Sequence, residues 1–337
     1  MKHFHCYVFI ASCTLSSISI ILRKLYVSNW FMKGTHGVNH ADERSVHRFL
    51  ATQVVASVLE ENFGDVSEPF AKGRDTAFFW IIPKADADIM NGFLQKCLHL
   101  TQATRVGSLG PSAQDEKLEL VYREGGKYVN IDPTNVEGIQ RGVQLGLGRS
   151  GIVDVIHSSF LHEAGSLFNR NNPGKIFTLF HHPVPRAFSI FCFIKHNTNR
   201  AYFPAFNSSG YDAFFGNIDR MTFEQYSKSN LFPENWMTRF LLGEKDAILT
   251  QRHVSDAKEI MRKKFLIGLT NRVDESLDRF VSYFGWESTQ SAVEYIECKK
   301  EFITHVSTKW PAVEDSNIWN IIMEKNEKDI QLYAYAT

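Results

Sequence analysis

Polar side chains that could bind an anion follow an apolar segment near the middle of the chain. The sequence FTLFHHPVPRAFSIF (residues 177–191) begins as a buried strand, and His181, Arg186 and Ser189 come after it. Arg186 and Ser189 are three residues apart and would share one face of a helix. A guanidinium and a hydroxyl on one helix face suit a phosphate. The spacing therefore predicts an anion site where this strand ends.

A second candidate anion site follows the apolar run TAFFWIIP (76–83), which is typical of a buried strand. A helix is predicted directly after it, over 85–101, and a helix N-terminus presents unpaired N–H groups to an anion. Lys84 stands where a cationic side chain would touch that anion. Asp86 and Asp88 fall in the first helical turn, where carboxylates also stabilise a helix.

A third polar group ends the apolar run of 152–159, where His157 could act as a general base. Strands at 76–83, 152–159 and 175–180 alternate with helices, which predicts an α/β fold with a central parallel sheet flanked by helices. Ligands bind such sheets at the carboxyl ends of the strands. We therefore expect the three polar groups to lie at one edge of the sheet.

The remaining elements complete this α/β reading. The segment 117–132 predicts a strand or a hairpin around Gly125-Gly126, and 264–270 predicts another strand. The second half of the chain is largely helical, with helices predicted at 222–242, 253–263, 272–284 and 317–335.

Composition excludes several classes of protein. The chain has 337 residues, of which 44% are hydrophobic, and its formal net charge is zero, so it is not a general nucleic-acid binder. The five cysteines contain no CxxC pair, which argues against structural zinc, and we expect no metal. Two of the three cysteines Cys97, Cys192 and Cys298 could form one disulfide in an oxidising compartment, and the sequence does not decide which two.

The N-terminal region predicts entry into the secretory pathway. Residues 6–22 carry no charge, and no small-x-small cleavage site follows residue 22, which favours a signal anchor over a cleaved signal peptide or a buried or disordered terminus. Basic residues on both sides leave the orientation of the anchor open. We divide the chain into an anchor or signal (1–24), a stem with an amphipathic helix (25–74) and the main domain (75–337). Asn207 begins a glycosylation sequon. These features predict a lumenal glycoprotein of the Golgi or another secretory membrane, with secretion as the alternative.

Two motifs together resemble sulfotransferases. The run TAFFWIIPK is similar to their 5′-phosphosulfate loop, and IFTLFHHPVPRAFSIF to their 3′-phosphate segment, a strand followed by R-x-P-x-x-R-x-x-S. The likeness continues through 234–243, 264–286 and 325–336. These segments resemble sulfotransferase-like proteins of algae and similar protists, which are related in pattern to Golgi carbohydrate sulfotransferases.

The resemblance implies a P-loop NTPase-like fold and 3′-phosphoadenosine 5′-phosphosulfate (PAPS) as donor for sulfuryl transfer to a hydroxyl, on a carbohydrate or a small molecule. Lys84 would contact the 5′-phosphate and the bridging oxygen, and would be catalytic. Ser189 would bind the 3′-phosphate, His181 takes the place of the usual 3′-phosphate arginine, and Arg186 matches the second motif arginine. His157 is the first choice for the general base, and His162 and Glu163 are the second.

The sequence departs from this family at the donor loop. The usual P-K-S-G-G-[ST]-T is replaced by Pro83-Lys84-Ala85-Asp86-Ala87-Asp88-Ile89, which lacks the glycines and hydroxyls that approach a phosphate. Two hypotheses therefore stay open: an active sulfotransferase, and an inactive protein of that fold that serves as a binding or scaffold protein.

Overall fold

A mostly parallel sheet organises the computed structural model, which describes residues 58–85, 87–110, 115–196, 218, 220–244, 247–286, 291–307, 313 and 315–337. Seven strands form this sheet within the described residues: β1 (Thr76–Trp80), β2 (Gln102–Ala103), β3 (Leu120–Arg123), β4 (Gly126–Val129), β5 (Val155–Ser158), β6 (Gly174–Phe180) and β7 (Phe265–Leu269). Their spatial order is β3-β4-β2-β5-β1-β6-β7. Only the β3–β4 pair is antiparallel.

Helices cover the sheet and make up most of the C-terminal half. They are α1 (Ala87–Lys96), α2 (Val136–Gln144), α3 (Leu161–Ala164), α4 (Pro183–His196), α5 (Phe223–Lys228), α6 (Trp236–Leu242), α7 (Gln251–Lys264), α8 (Val273–Phe284), α9 (Ala292–Ser307), α10 (Ser316–Lys325) and α11 (Glu327–Ala336). The predicted α/β class, the central sheet with flanking helices and the helical C-terminal half are thus confirmed.

The two faces of the sheet bury separate apolar clusters, because successive side chains of a strand point to opposite faces. On one face, Phe79 and Phe177 pack with residues of α1, α8 and α9. On the other face, Phe78 and Trp80 pack with residues of α6, α7 and α11. Complete burial of β1 and β6 explains why both read as uninterrupted apolar runs.

Some predicted elements differ from the structure in their boundaries. The helix predicted over 222–242 is two helices, α5 and α6, because the intervening segment contains Pro233, which cannot donate a helical hydrogen bond. The region 317–335 is likewise divided, into α10 and α11. The short strand β2 and the helix α9 were not predicted.

Residues 58–74 pack onto the sheet. Residues 58–62 are helical, and Leu59 and Phe63 are buried in the same cluster as Phe78. The Lys264 ammonium donates to the Phe63 carbonyl (2.9 Å) and pairs with Asp65 (2.7 Å). This part of the predicted stem-and-helix region therefore contributes to the core of the domain.

A disulfide joins Cys97, just after α1, to Cys298 in α9, with a Cα–Cα distance of 5.7 Å. The pair is one of those that the sequence left open, and Cys192 takes no part in it. Helix α9 is thereby attached covalently to the segment that follows β1. The predicted anchor at 1–24 and the sequon at Asn207 lie outside the described residues.

Candidate functional site

The carboxyl ends of β1 and β6 form a topological switch point. The chain leaves β1 toward β2 on one side of the sheet, whereas it leaves β6 toward β7 on the other side. Because the two connections diverge, they leave space between them, and open α/β sheets bind ligands at such a position. Two segments border it: the loop 81–85, and residues 181–189, which comprise a two-residue connection and the first two turns of α4. We call both segments together the switch-point loops.

The loop after β1 turns without a glycine. The Ala85 amide donates to the Ile82 carbonyl (3.0 Å), and Lys84 adopts the left-handed conformation with φ 63°. This conformation costs a non-glycine residue about 1–2 kcal/mol, so the surrounding contacts must hold it. Ala85 is buried, and Asp88 is exposed in the first turn of α1. Asp86 lies outside the described residues.

The Lys84 side chain crosses to α4. Its ammonium lies 3.4 Å from the centre of the Phe193 ring, which is a cation–π contact. Phe193 follows Ser189 by four residues, so the two share one face of the helix. Ser189 is partly exposed. The tertiary structure therefore brings the predicted cation of the first loop to the helix face that carries the predicted hydroxyl.

His181 connects the two loops directly. Its Nδ1 lies 3.1 Å from the Lys84 carbonyl oxygen, which must accept, so Nδ1 carries a proton. The side chain is only 4% exposed. Burial lowers the pKa of His181 to about 4, and the charges of Arg186 and His182 push it the same way, while the Lys84 bond opposes this. At neutral pH His181 is therefore uncharged, and it links the two segments through its hydrogen bond to Lys84. An arginine at this position would instead place a positive charge there.

Arg186 is engaged in the interior. Its side chain is buried, with Nη2 3.8 Å from Asp329 Oδ2 and the guanidinium 5.4 Å from the Trp236 ring centre. Nε and Nη1 have no hydrogen-bond partner among the described residues. Asp329 in turn accepts from the amides of Met237 (2.9 Å) and Thr238 (2.8 Å) at the start of α6. Arg186 therefore holds α4 to the C-terminal helices in this structure.

His157 lies inside the sheet layer. The side chain is fully buried, beside Phe79 (5.4 Å between ring centres), and neither ring nitrogen bonds to a described residue. Burial lowers the pKa of His157 to about 3. A proton acceptor must reach its substrate directly or through one water. In this conformation His157 is closed to an acceptor hydroxyl, and its role as a base stays a prediction.

The two second choices for the base differ in access. His162 is half-buried, its Nε2 donates to the Phe240 carbonyl (2.8 Å), and its Nδ1 is buried. Glu163, the next residue in α3, is exposed. Both follow β5 at the same edge of the sheet as the switch-point loops.

Sequence reasoning missed the residues that fix the predicted ones. Phe193 carries the Lys84 contact, and its helical spacing from Ser189 was a usable signal. Asp329 lies in the segment 325–336 that was noted for its resemblance, yet nothing in the sequence paired it with Arg186. His182 packs on Trp319 (5.3 Å between ring centres), which is equally a product of the tertiary fold.

The described residues contain neither a metal-binding cluster nor a helix that could span a membrane. No group of three or more His, Cys, Asp or Glu side chains among them could hold a metal ion. Within the same residues, none of the helices has both the length and the hydropathy needed to cross a bilayer.

Comparison with known proteins adds no relative. No protein-family model matches the chain, and no curated protein matches it significantly.

Proposed function

We propose that this protein is a sulfotransferase with a P-loop NTPase-like fold, which binds PAPS between the switch-point loops and transfers its sulfuryl group to a hydroxyl of a carbohydrate acceptor. One observation carries the proposal: the Lys84 ammonium lies against Phe193, on the face of α4 that carries Ser189. A cation from the loop after β1 and a hydroxyl from the helix after β6 thus meet at one edge of the sheet.

The chemistry needs little from the protein beyond placed charge. The acceptor oxygen attacks the sulfur, the bond from sulfur to the 5′-phosphate oxygen breaks, and 3′-phosphoadenosine 5′-phosphate leaves. Negative charge grows on that leaving phosphate, where a fixed cation stabilises it. Lys84 is suited to this role after its ammonium moves from Phe193 to the phosphate. Ser189 would donate its hydroxyl to the 3′-phosphate.

The acceptor proton requires a base at the same edge. Glu163 is exposed, so a substrate could approach it, whereas the buried Nδ1 of His162 and both ring nitrogens of His157 would first have to become accessible. Among the three predicted bases, the geometry therefore favours Glu163.

The second candidate is a catalytically inactive protein of the sulfotransferase fold that serves as a binding or scaffold protein. A different observation favours it. His181 is buried and its pKa is lowered to about 4, and Arg186 is occupied by Asp329, so neither presents a cation to a 3′-phosphate. The first turn of α1, which follows the loop after β1, also carries the exposed Asp88, which would repel a phosphate nearby. Such a protein would keep the fold and its binding surface but would not transfer a sulfuryl group.

Titration calorimetry of the full chain with 3′-phosphoadenosine 5′-phosphate tests donor binding. We expect a micromolar Kd that weakens about tenfold to hundredfold in Lys84→Met and in Ser189→Ala, since each removes a bond to a charged group. Lys72→Met, a lysine at the opposite end of β1, is the matched control and should bind as the wild type does. Absence of binding at millimolar nucleotide would contradict the proposal.

Transfer of a labelled sulfuryl group from PAPS to a panel of glycans separates the two candidates. Transfer that is lost in Lys84→Met supports the sulfotransferase. Absence of transfer to every acceptor in the panel, with or without nucleotide binding, supports the second candidate.

We also propose a lumenal location in the secretory pathway, in the Golgi membrane. The Cys97–Cys298 disulfide supports this, because disulfides persist in oxidising compartments. Immunofluorescence with a Golgi marker, together with glycosidase sensitivity at Asn207, tests the location. A cytosolic, glycosidase-resistant chain would contradict it.

A further inference from the structure

The strand β3 ends the sheet and offers an open edge. It lies at one end of the strand order, and within the described residues only β4 pairs with it. An open edge presents a row of N–H and C=O groups to any other strand. The four-residue strand Leu-Val-Tyr-Arg contains no proline, and its one charged side chain is that of Arg123.

The hairpin turn determines which backbone groups point outward. Glu124 (φ 50°) and Gly125 (φ 78°) form a two-residue turn, so Arg123 and Gly126 are a hydrogen-bonded pair. Hydrogen-bonded pairs alternate along an antiparallel ladder, and the Asn130 amide accordingly donates to the Glu119 carbonyl (3.1 Å).

Residues 119, 121 and 123 therefore direct their backbone groups toward β4, and those of Leu120 and Tyr122 point to the open edge. The side chains of Leu120 and Tyr122 are 49% and 70% exposed on one face of the strand. The edge thus combines unpaired backbone groups with exposed apolar side chains.

We propose that this edge pairs with the same edge of a second copy of the chain, antiparallel about a twofold axis at Val121. In that register Leu120 faces Tyr122 of the second copy, and Tyr122 faces its Leu120. These are the two residues whose backbone groups point outward, so both pairs close with two hydrogen bonds each. The proposal does not depend on the proposed function.

The side chains are complementary in the same register. Each Leu120 lies opposite a Tyr122, a cross-strand apolar pair that stabilises sheets. On the other face, Glu119 lies opposite Arg123 of the second copy, so opposite charges meet twice. Within one chain Glu119 pairs with Lys117 (2.8 Å) and the Arg123 guanidinium donates to the Leu109 carbonyl (2.6 Å). Both side chains would exchange these contacts for the charge pair across the axis.

This self-complementarity indicates that the partner of the β3 edge is a second copy of the chain. A register centred on Val121 satisfies the backbone groups, the apolar pair and the charge pair at once, which a twofold dimer requires of a single surface. The two sheets would then become continuous across the axis.

Disulfide trapping tests the axis. Facing residues of a non-hydrogen-bonded antiparallel pair have Cα atoms about 4.5 Å apart, within disulfide range. We therefore expect mild oxidation of the full-length Val121→Cys chain, in mild detergent, to give a covalent dimer on non-reducing gels. The matched control, Lys127→Cys, places an exposed cysteine on β4, away from the axis. No more dimer from Val121→Cys than from this control would overturn the proposal.

Charge reversal tests the register. Sedimentation equilibrium of the wild-type chain should show a dimer at or below about 100 μM, a concentration at which a micromolar complex forms. Arg123→Glu and Glu119→Arg should each be monomeric, because like charges then meet, and an equimolar mixture of the two should dimerise. Arg252→Glu, on α7, is the control and should dimerise as the wild type does. A monomeric wild type, or a mixture that stays monomeric while circular dichroism shows both variants folded, would overturn the proposal.

Discussion

Arg186 and Asp329 form a buried ion pair that joins α4 to α11, with Nη2 3.8 Å from Oδ2. Burial raises the pKa of Asp329, while Arg186 and the Met237 and Thr238 donors counteract that rise. Asp329 also accepts from two amides in the first turn of α6, those of Met237 and Thr238. A single carboxylate therefore holds together the helix of the candidate 3′-phosphate segment and the C-terminal helices.

Removing one member of this pair should be strongly destabilising. We expect Arg186→Met to lower the free energy of unfolding by about 3–5 kcal/mol, because Asp329 would be left buried without its countercharge. Urea denaturation followed by circular dichroism measures the change. The double variant Arg186→Met/Asp329→Asn should recover part of the loss, since it leaves no uncompensated charge. If the double variant is less stable than Arg186→Met, the pair does not act as described.

Acid should destabilise the fold through its buried histidines. Burial lowers the pKa of His157 to about 3 and of His181 to about 4, whereas an unfolded histidine titrates near 6.5. The unfolded state therefore binds more protons between these values, and stability falls as pH falls from 6.5 to 4. Each group contributes a loss on the order of a few kcal/mol.

Urea denaturation at pH 4.5, 5.5, 6.5 and 7.5 checks this pH dependence. His157→Leu should lose less stability than the wild type over the same interval, because one buried proton acceptor is gone. If the free energy of unfolding changes with pH by the same amount in His157→Leu and in the wild type, His157 is not buried in its neutral form.

Reduction of the Cys97–Cys298 disulfide should lower stability. The bond spans a sequence separation of 201 residues, and closing such a long loop restricts the unfolded chain strongly. We expect a loss of about 2–5 kcal/mol on reduction, measured as a shift of the urea midpoint with and without reductant. Cys192→Ser should respond to reductant like the wild type. The double variant Cys97→Ala/Cys298→Ala should not respond, and a response there would assign the effect to another cysteine.

The hairpin turn offers a stabilising substitution. Glu124 adopts φ 50° at the first central position of the two-residue turn, where asparagine is favoured and most residues are strained. Glu124→Asn should raise the free energy of unfolding by up to about 1 kcal/mol. Glu124→Ala is the control, since it removes the same side chain without relieving the backbone. Equal stability of the two variants would contradict the explanation.

The α/β class was predictable because it depends on local pattern. The fully buried strands β1 and β6 are continuous apolar runs in the sequence. After each strand the apolar residues change to helical spacing, which the sequence also shows. The short strand β2 was not, because two residues carry no periodicity and only pairing with β4 and β5 defines them. Helix α9 was missed for a related reason, since its burial depends on α1 and the disulfide.

The types and the chain positions of the candidate site residues were readable from sequence alone, and so was their place at the ends of strands. Only the tertiary structure decided their environments. Arg186 and Ser189 are three residues apart on one helix, yet Arg186 is buried against Asp329 and Ser189 is partly exposed. His181 is uncharged at neutral pH because packing removes it from water, and Lys84 meets the face of Ser189 because β1 and β6 are neighbours. Burial and charge depend on residues far away in the chain, and no local pattern records which of these come into contact.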